Sequence, residues 1–329
     1  MANLTTTFAG LELKSPIIVG SSGLTGSVKH LKEFEENGAG AIVLKSLFEE
    51  EIVFEYHKFL EEADRYGYDY EYADYFDYKI KQDNIDNYVK LIKDAKATVN
   101  IPVIASINCV STHEWPFFTK KIEEAGADAL ELNIFILPSD PNKTSQEIEE
   151  TYFKIVEEVK KQVKIPVIVK MSYFFSNLGQ MIVKLSEKVD GLVLFNRFYN
   201  PDIDIKTGKI IPASIFSRPE DIVIPLRWIA LSSGKAKAPL AASTGVHNSE
   251  NLIKILLAGG SAAQVVSTVY KNGAGQIKKM LDELNAYLDE QGKASVKDII
   301  GTASQSNLKN AAAFERVQFM RYFSDHDVV

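Results

Sequence analysis

Apolar residues in this chain come in short runs, each entered from a Gly/Ala/Asp turn and closed by a polar side chain. Asn37-Gly-Ala-Gly leads into Ala41–Leu44 and then Lys45, and Ala125-Gly-Ala-Asp leads into Ala129–Leu132 and then Asn133. Val189-Asp-Gly leads into Leu192–Phe195 and then Asn196, and Ala258-Gly-Gly-Ser leads into Ala263–Val266 and then Ser267-Thr268. Two runs open with one tetrapeptide, Ile101-Pro-Val-Ile and Ile165-Pro-Val-Ile, the second ending at Lys170. Another pair reads Pro16-Ile-Ile-Val-Gly-Ser-Ser-Gly23 and Pro239-Leu-Ala-Ala-Ser-Thr-Gly245. The pattern predicts eight strands, beginning near residues 17, 41, 103, 129, 167, 191, 240 and 263.

The runs are continuous rather than alternating, as in parallel strands covered on both faces. Helix-period segments lie between most of them: Val28–Asn37, Asn84–Val99, Glu114–Ala125, Ser145–Val163, Leu178–Lys188 and Asn248–Ala258. Pro102 and Pro166 fall at first strand positions, where a missing ladder donor is tolerated. Eight such units predict a closed (β/α)8 TIM barrel, with an open doubly wound sheet as the other arrangement. Three segments stand outside the repeat. Residues 49–83 form a long insertion after strand two whose part 61–78 is rich in tyrosine, and residues 199–238 join strands six and seven. The tail reads as helical to Gln291 and again near Ala311–Tyr322. No Gly/Ser linker divides the chain, so residues 1–329 are expected to form one domain with insertions.

Composition narrows the class. The 329 residues carry 37 Lys and Arg against 44 Asp and Glu, a net charge of −7 that argues against nucleic acid as the main partner. No stretch reaches the roughly 18 apolar residues needed to span a bilayer. Residues 1–7 lack the basic and apolar segments of a secretory signal, which points to a cytoplasmic protein. Cys109 is the single cysteine, so no internal disulfide forms, and the five histidines lack metal-ligand spacing; no metal is expected.

In a barrel, groups at the carboxyl ends of the strands converge on one face. Here those ends carry Ser22, Lys45, Asn108, Asn133, Lys170, Asn196, Thr244, Ser267 and Thr268. The small residues closing strands seven and eight, around Gly245, match the place where barrels bind phosphate; helix capping is the plainer alternative. Lys170 reads as a Schiff-base lysine, a fixed cation opposite a developing anion, or a salt-bridge partner, and the second is favoured. His247 and Cys109 read as structural.

Leu11-Glu-Leu-Lys-Ser-Pro-Ile-Ile-Val-Gly-Ser-Ser-Gly23, Leu44-Lys-Ser46, Ala125-Gly-Ala-Asp-Ala-Leu-Glu-Leu-Asn133, Val169-Lys170 and Ser243-Thr-Gly-Val-His247 together resemble the FMN-dependent, class 1-like dihydroorotate dehydrogenases. The pyrimidine domains of dihydropyrimidine dehydrogenase look similar. The resemblance runs from about residue 5 to 300, and it implies an FMN-binding barrel that oxidises dihydroorotate to orotate in pyrimidine biosynthesis, or a related cyclic compound. By that likeness Ser22, Gly23, Lys45 and Ser46 border the flavin, Asn108 joins them, and Lys170 lies at the pyrimidine edge. Gly245, Val246, Ser267 and Thr268 would hold the phosphate, while Asn133 and Asn196 grip the substrate.

The chain departs from the family on the substrate side. Where the family writes Asn-Leu-Ser-Cys-Pro-Asn, with Cys or Ser as base, this chain has Asn133-Ile-Phe-Ile-Leu-Pro-Ser139, placing Ile136 or Leu137 at the base. Ser139, Tyr173 and Tyr199 are the candidate replacements. A Gly-rich segment is replaced by Ser214-Ile-Phe-Ser-Arg-Pro219, and a serine by Arg197, which would pair with a substrate carboxylate or an acid of the tyrosine-rich loop. Electrons need a soluble acceptor (fumarate, NAD or a quinone) or a partner subunit, because one cysteine builds no iron–sulfur path. The aromatic insertion is the expected homodimer surface. Two other functions compete: a barrel lyase or aldolase using Lys170 on a phosphorylated carbonyl compound, and a non-catalytic flavin-binding partner protein.

Overall fold

The eight runs become eight parallel strands that close on themselves. In the computed structural model, which describes residues 2–48, 73–109, 115–197, 200–308, 314 and 315, a hairpin of β1 (Thr6–Phe8) and β2 (Leu11–Leu13) precedes the barrel. The barrel strands are β3 (Ile17–Val19), β4 (Ala41–Val43) continued by β5 (Leu47–Phe48), β6 (Val103–Cys109), β7 (Ala129–Ile134) and β8 (Val167–Met171). After β9 (Gly191–Leu194) comes an outlying hairpin, β10 (Pro201–Ile203) and β11 (Ile210–Pro212), then β12 (Leu240–Ser243) and β13 (Ala262–Val265). Closure is made by β13 against β3, with Gln264 in register with Ile18. The open-sheet alternative is thereby excluded.

Between the strands run α1 (Leu31–Glu36), α2 (Ala73–Thr98), α3 (Trp115–Glu124), α4 (Ser145–Gln162), α5 (Leu178–Ser186), α6 (Val223–Ser232) and α7 (Ser249–Ala258). Beyond β13 follow α8 (Ser267–Asn272) and α9 (Gly275–Glu290), which supply the helical C-terminal region. Two expectations change. Helix α2 starts at Ala73, inside the segment read as insertion, and the connection 199–238 contains α6, a regular barrel helix. Its sequence, Val-Ile-Pro-Leu-Arg-Trp-Ile-Ala-Leu-Ser, is apolar nearly all round, so it lacks the one-sided stripe by which the other helices were recognised. Most of the tyrosine-rich stretch and the predicted helix near 311–322 lie outside the described residues.

Strand alternation divides the interior into layers. Facing inward at the lower level are Ile18, Val43, Ile104, Ala129, Ile168, Val193, Ala241 and Ala262, which form one buried cluster with Phe8, Ala9 and Leu13 of the hairpin. The β1–β2 hairpin therefore plugs the amino end of the barrel. Two residues further along five of the strands the inward positions are polar and buried: Ser106, Glu131, Lys170, Ser243 and Gln264. A second, larger cluster fills the space between strands and helices.

The duplicated Ile-Pro-Val-Ile segment folds into a duplicated device. Asp128 Oδ2 accepts from Val103 N at 2.7 Å and Lys96 donates to the same carboxylate at 2.6 Å. Asp190 Oδ2 accepts from Val167 N at 2.8 Å and Lys160 donates to it at 2.9 Å. In each copy the turn before the next strand caps the amide that follows the proline. On the same sheet, the chain leaves the ladder between β4 and β5, which would orphan the main chain of Ser106. The Tyr88 hydroxyl of α2 fills the gap, accepting from Ser106 N at 2.7 Å and donating to Ser106 O at 3.0 Å. Burial pushes that phenol's pKa well above the usual tyrosine range.

Tyr88→Phe is expected to destabilise the protein by about 1–3 kcal/mol, because both main-chain groups of Ser106 lose their partner in a buried site. Urea unfolding of the two proteins measures this; equal midpoints would show that the gap is bridged in some other way.

Candidate functional site

The carboxyl ends of the strands frame a cavity of about 430 Å³. Its floor is Lys170 and Gln264, one wall is Ser243–Val246 with Val266 and Ser267, and the opposite wall is Arg197 with Pro212 and Ser214–Ser217. A second cavity of about 220 Å³ adjoins it, sharing Asn196, Arg197, Ser243 and Thr244 and reaching Tyr173 and Phe195.

Lys170 is only 8 % exposed, so its ammonium must be met from within. It donates to Gln264 Oε1 at 2.8 Å and lies 3.9 Å from Glu131 Oε1. Gln264 Nε2 in turn donates to Glu131 Oε2, completing a buried triad. Glu131 and Gln264 went unnoticed in the sequence because each lies inside an apolar run rather than at its end. A charged or amide residue interrupting a strand core, at the inward parity of Lys170, was the available signal.

Acceptors without donors surround this triad. Asn108 Oδ1, Asn133 Oδ1 and Glu131 Oε1 are buried and have no hydrogen-bond partner among the described residues. Buried acceptors of this kind call for donors from a ligand. At the cavity wall, the amides of Gly245 and Val246 likewise meet no acceptor among the described residues. Gly245 has φ +82°, and a Cβ there would lie 2.1 Å from Ile222 N, so only glycine lets the turn press against residues 219–222.

The other candidates distribute as follows. Asn196 is half-buried and borders both cavities, and Ser267 and Val246 line the larger one. Thr268 is buried, its hydroxyl donating to His247 O at 2.9 Å rather than lining the cavity. At the first strand Ser21, not Ser22, reaches the cavity; Ser22 caps the turn Gly23–Thr25. Ser21 Oγ is 3.0 Å from Ser46 Oγ, which is 2.8 Å from Ser106 Oγ, so Ser46 belongs to a buried hydroxyl chain. Lys45 and Gly23 are exposed beside that end of the mouth, and Ser139 is exposed and borders neither cavity. Tyr173 lines the second cavity; Tyr199 lies outside the described residues.

Arg197 pairs with no carboxylate among the described residues. Its guanidinium donates to the carbonyls of Ser214 and Phe216, at 2.8 and 3.2 Å, and to that of Ile215. At the far end of the same segment Ser217 N donates to Ser267 Oγ at 3.0 Å, Lys271 donates to Ser217 O at 2.9 Å, and Ser217 Oγ lies 2.8 Å from His247 Nε2. Burial, helped by the nearby Lys271 charge, holds the His247 imidazole below its ordinary pKa.

The chain is similar to a family of known proteins. A family model described as dihydroorotate dehydrogenase matches residues 78–288. The chain is 28% identical over 319 residues to "Dihydroorotate dehydrogenase B (NAD(+)), catalytic subunit" of Thermoplasma volcanium, covering 92% of this chain and 99% of that protein. It is 26% identical over 321 residues to the protein of the same name from Thermoplasma acidophilum, again covering 92% and 99%. The protein of that name from Methanocaldococcus jannaschii is 28% identical over 326 residues, covering 92% and 98%.

His247 contributes stability above its unfolded pKa of about 6.5 and loses it as pH falls below that value, since the unfolded chain then binds a proton that the fold resists. Urea unfolding at pH 8 and pH 5.5 should therefore show a larger acid loss for the wild type than for His247→Gln. Equal losses would mean that the imidazole does not titrate differently in the fold.

Proposed function

Because this chain belongs to the dihydroorotate dehydrogenase family, we propose that it is an FMN-dependent oxidoreductase that oxidises dihydroorotate to orotate, a CH–CH oxidation in pyrimidine biosynthesis. The observation that carries the reading is the buried Lys170–Gln264–Glu131 triad under a cavity bordered by Asn196 and by the amides of Gly245 and Val246.

The residues suit FMN at both ends. The unpartnered Asn108 and Asn133 oxygens would accept from a ring imide N–H, and the Lys170 ammonium would donate to a ring carbonyl beside it. Gly245, Val246 and Ser267 border the part where a phosphate would find donors. FMN, when bound, supplies the acceptor for the hydride that leaves C6 of the substrate. Lys170 holds a positive charge where negative charge develops, inside a site poor in water, where such a charge counts most. Asn133 and Asn196 orient the substrate ring. The proton on C5 also has to leave, and Ile136 and Leu137 are unable to take it. We assign its relay to Tyr173, which borders the second cavity beside Asn196 and Arg197, rather than to exposed Ser139.

Electrons then leave to a partner. The relatives' names describe catalytic subunits of NAD(+)-dependent enzymes, and we assign this chain the same place, with a partner subunit between it and NAD(+). The exposed apolar residues of β10–β11 and the segment after them, Ile203, Ile205, Ile210 and Ile215, suit a contact with that subunit or with a second copy in a homodimer. No helix among the described residues is long and apolar enough to cross a membrane, and a cytoplasmic site of action fits the pathway.

The purified protein should be yellow and should bleach when dihydroorotate is added without oxygen. A protein that cannot be loaded with FMN would overturn the proposal, and a yellow one that stays yellow would keep the cofactor and reject the substrate. Lys170→Met is expected to slow bleaching by roughly 100-fold, the usual cost of removing one preorganised charge. Tyr173→Phe should retain flavin and slow bleaching by about tenfold or more; an unchanged rate would remove Tyr173 from the proton path.

A further inference from the structure

Two departures from the family pattern, Arg197 and the segment Ser214–Pro219, meet in space as one device. The carbonyls of Ser214, Ile215 and Phe216 are consecutive, and all three point at the Arg197 guanidinium. None of them accepts from a backbone amide among the described residues. Apart from the Ser214 hydroxyl, which reaches Phe216 O at 2.7 Å, Arg197 is what satisfies them. Ser217, at the next position, is tied to Ser267, Lys271 and His247. Residues 214–217 therefore cross the cavity as a strap, pinned at one end from the strand-six loop and at the other from the loops after β12 and β13.

We propose that Arg197 is a positioning residue: its guanidinium latches the Ser214–Ser217 strap shut as the outer wall of the cavity, and so retains the flavin. The planar fork suits this work, since it presents several donors in fixed directions, which a lysine does not. The strap needs such an anchor. Ile215 is 74 % exposed, and Phe216 packs on Tyr270 with ring centroids 5.4 Å apart, on the side that Lys271 already pins, so the Ser214–Ile215 end depends on Arg197. Arg197 also borders both cavities, together with Asn196, Ser243 and Thr244. The role in flavin retention rests on the FMN reading above; the latch itself does not.

The test uses the full chain with and without flavin. Amide hydrogen exchange of Ser217, the strap amide that donates to an acceptor (Ser267 Oγ), compared between wild type and Arg197→Met in the flavin-free protein, reads the latch. Exchange at least tenfold faster in the variant is expected, with the strand amides of Val103 and Val167 unchanged as an internal control; unchanged exchange at Ser217 would overturn the proposal. Should Arg197→Met lose the control amides as well, Arg197→Lys is read instead, and is expected to fall between the two. FMN and riboflavin titrations of the same proteins, followed by quenching of flavin fluorescence, then separate a wall from a phosphate ligand. A latch weakens both flavins by a similar factor, about tenfold or more for three charge-assisted hydrogen bonds. Loss confined to FMN would mean that Arg197 acts on the phosphate instead, and would also overturn the proposal. A wild type that binds neither flavin would sink the FMN reading while leaving the exchange result to judge the latch.

Discussion

An ammonium group held almost out of contact with water is the constraint around which this barrel is arranged. Lys170 sits on the inward face of β8, and its burial is tolerable only because Gln264 from β13 and Glu131 from β7 meet it. Glu131 and Lys170 stand on the paired strands β7 and β8, whereas Gln264 stands on β13, which pairs with neither, so the triad is made across the interior and requires the sheet to curl shut. The same inward parity that points Lys170 at the mouth points Ile168, two residues earlier, into the plugged apolar layer below. One alternation thus separates a dry, load-carrying lower half from a polar upper half that leaves acceptors open to a ligand.

The amino end answers to a different requirement. There the task is to satisfy backbone amides at the strand entries, and the solution is repeated: Asp128 with Lys96 and Asp190 with Lys160 cap equivalent amides away from the cavity. Higher in the barrel, at Ser106, the Tyr88 hydroxyl stands in for a missing strand partner. At the carboxyl end the loops are held instead by long-range side-chain contacts, of which Arg197 and the Ser217–His247 pair are the chief examples. The barrel therefore keeps a rigid base and places its chain-specific features in the loops above it.

Much of this was legible beforehand. The eight strand starts, the prolines at strand entries and most helices follow from runs of apolar residues punctuated by Gly, Asp and Pro, which are local properties of the chain. Lys170 and Asn196 were also readable, since a polar residue closing an apolar run must emerge at a strand end. Helix α6 was missed because its outer positions, such as Val223 and Ile224, are apolar too, so it shows no stripe. Glu131 and Gln264 were missed because within a continuous run the sequence does not say which face is the barrel interior. The carbonyl partners of Arg197 were unreadable for a related reason: backbone carbonyls carry no residue identity to search for.

By itself, then, the sequence determined the alternation of strand and helix, the order of the units and the set of polar groups delivered to one rim, because each depends on residues close together in the chain. Only the tertiary structure decided that the sheet closes, that Glu131 and Gln264 converge on Lys170, and that Arg197 meets three consecutive carbonyls of residues 214–216. Each of those depends on residues 17 to 246 positions apart along the chain, brought together by the curvature and shear of the barrel, which no local pattern of residues encodes.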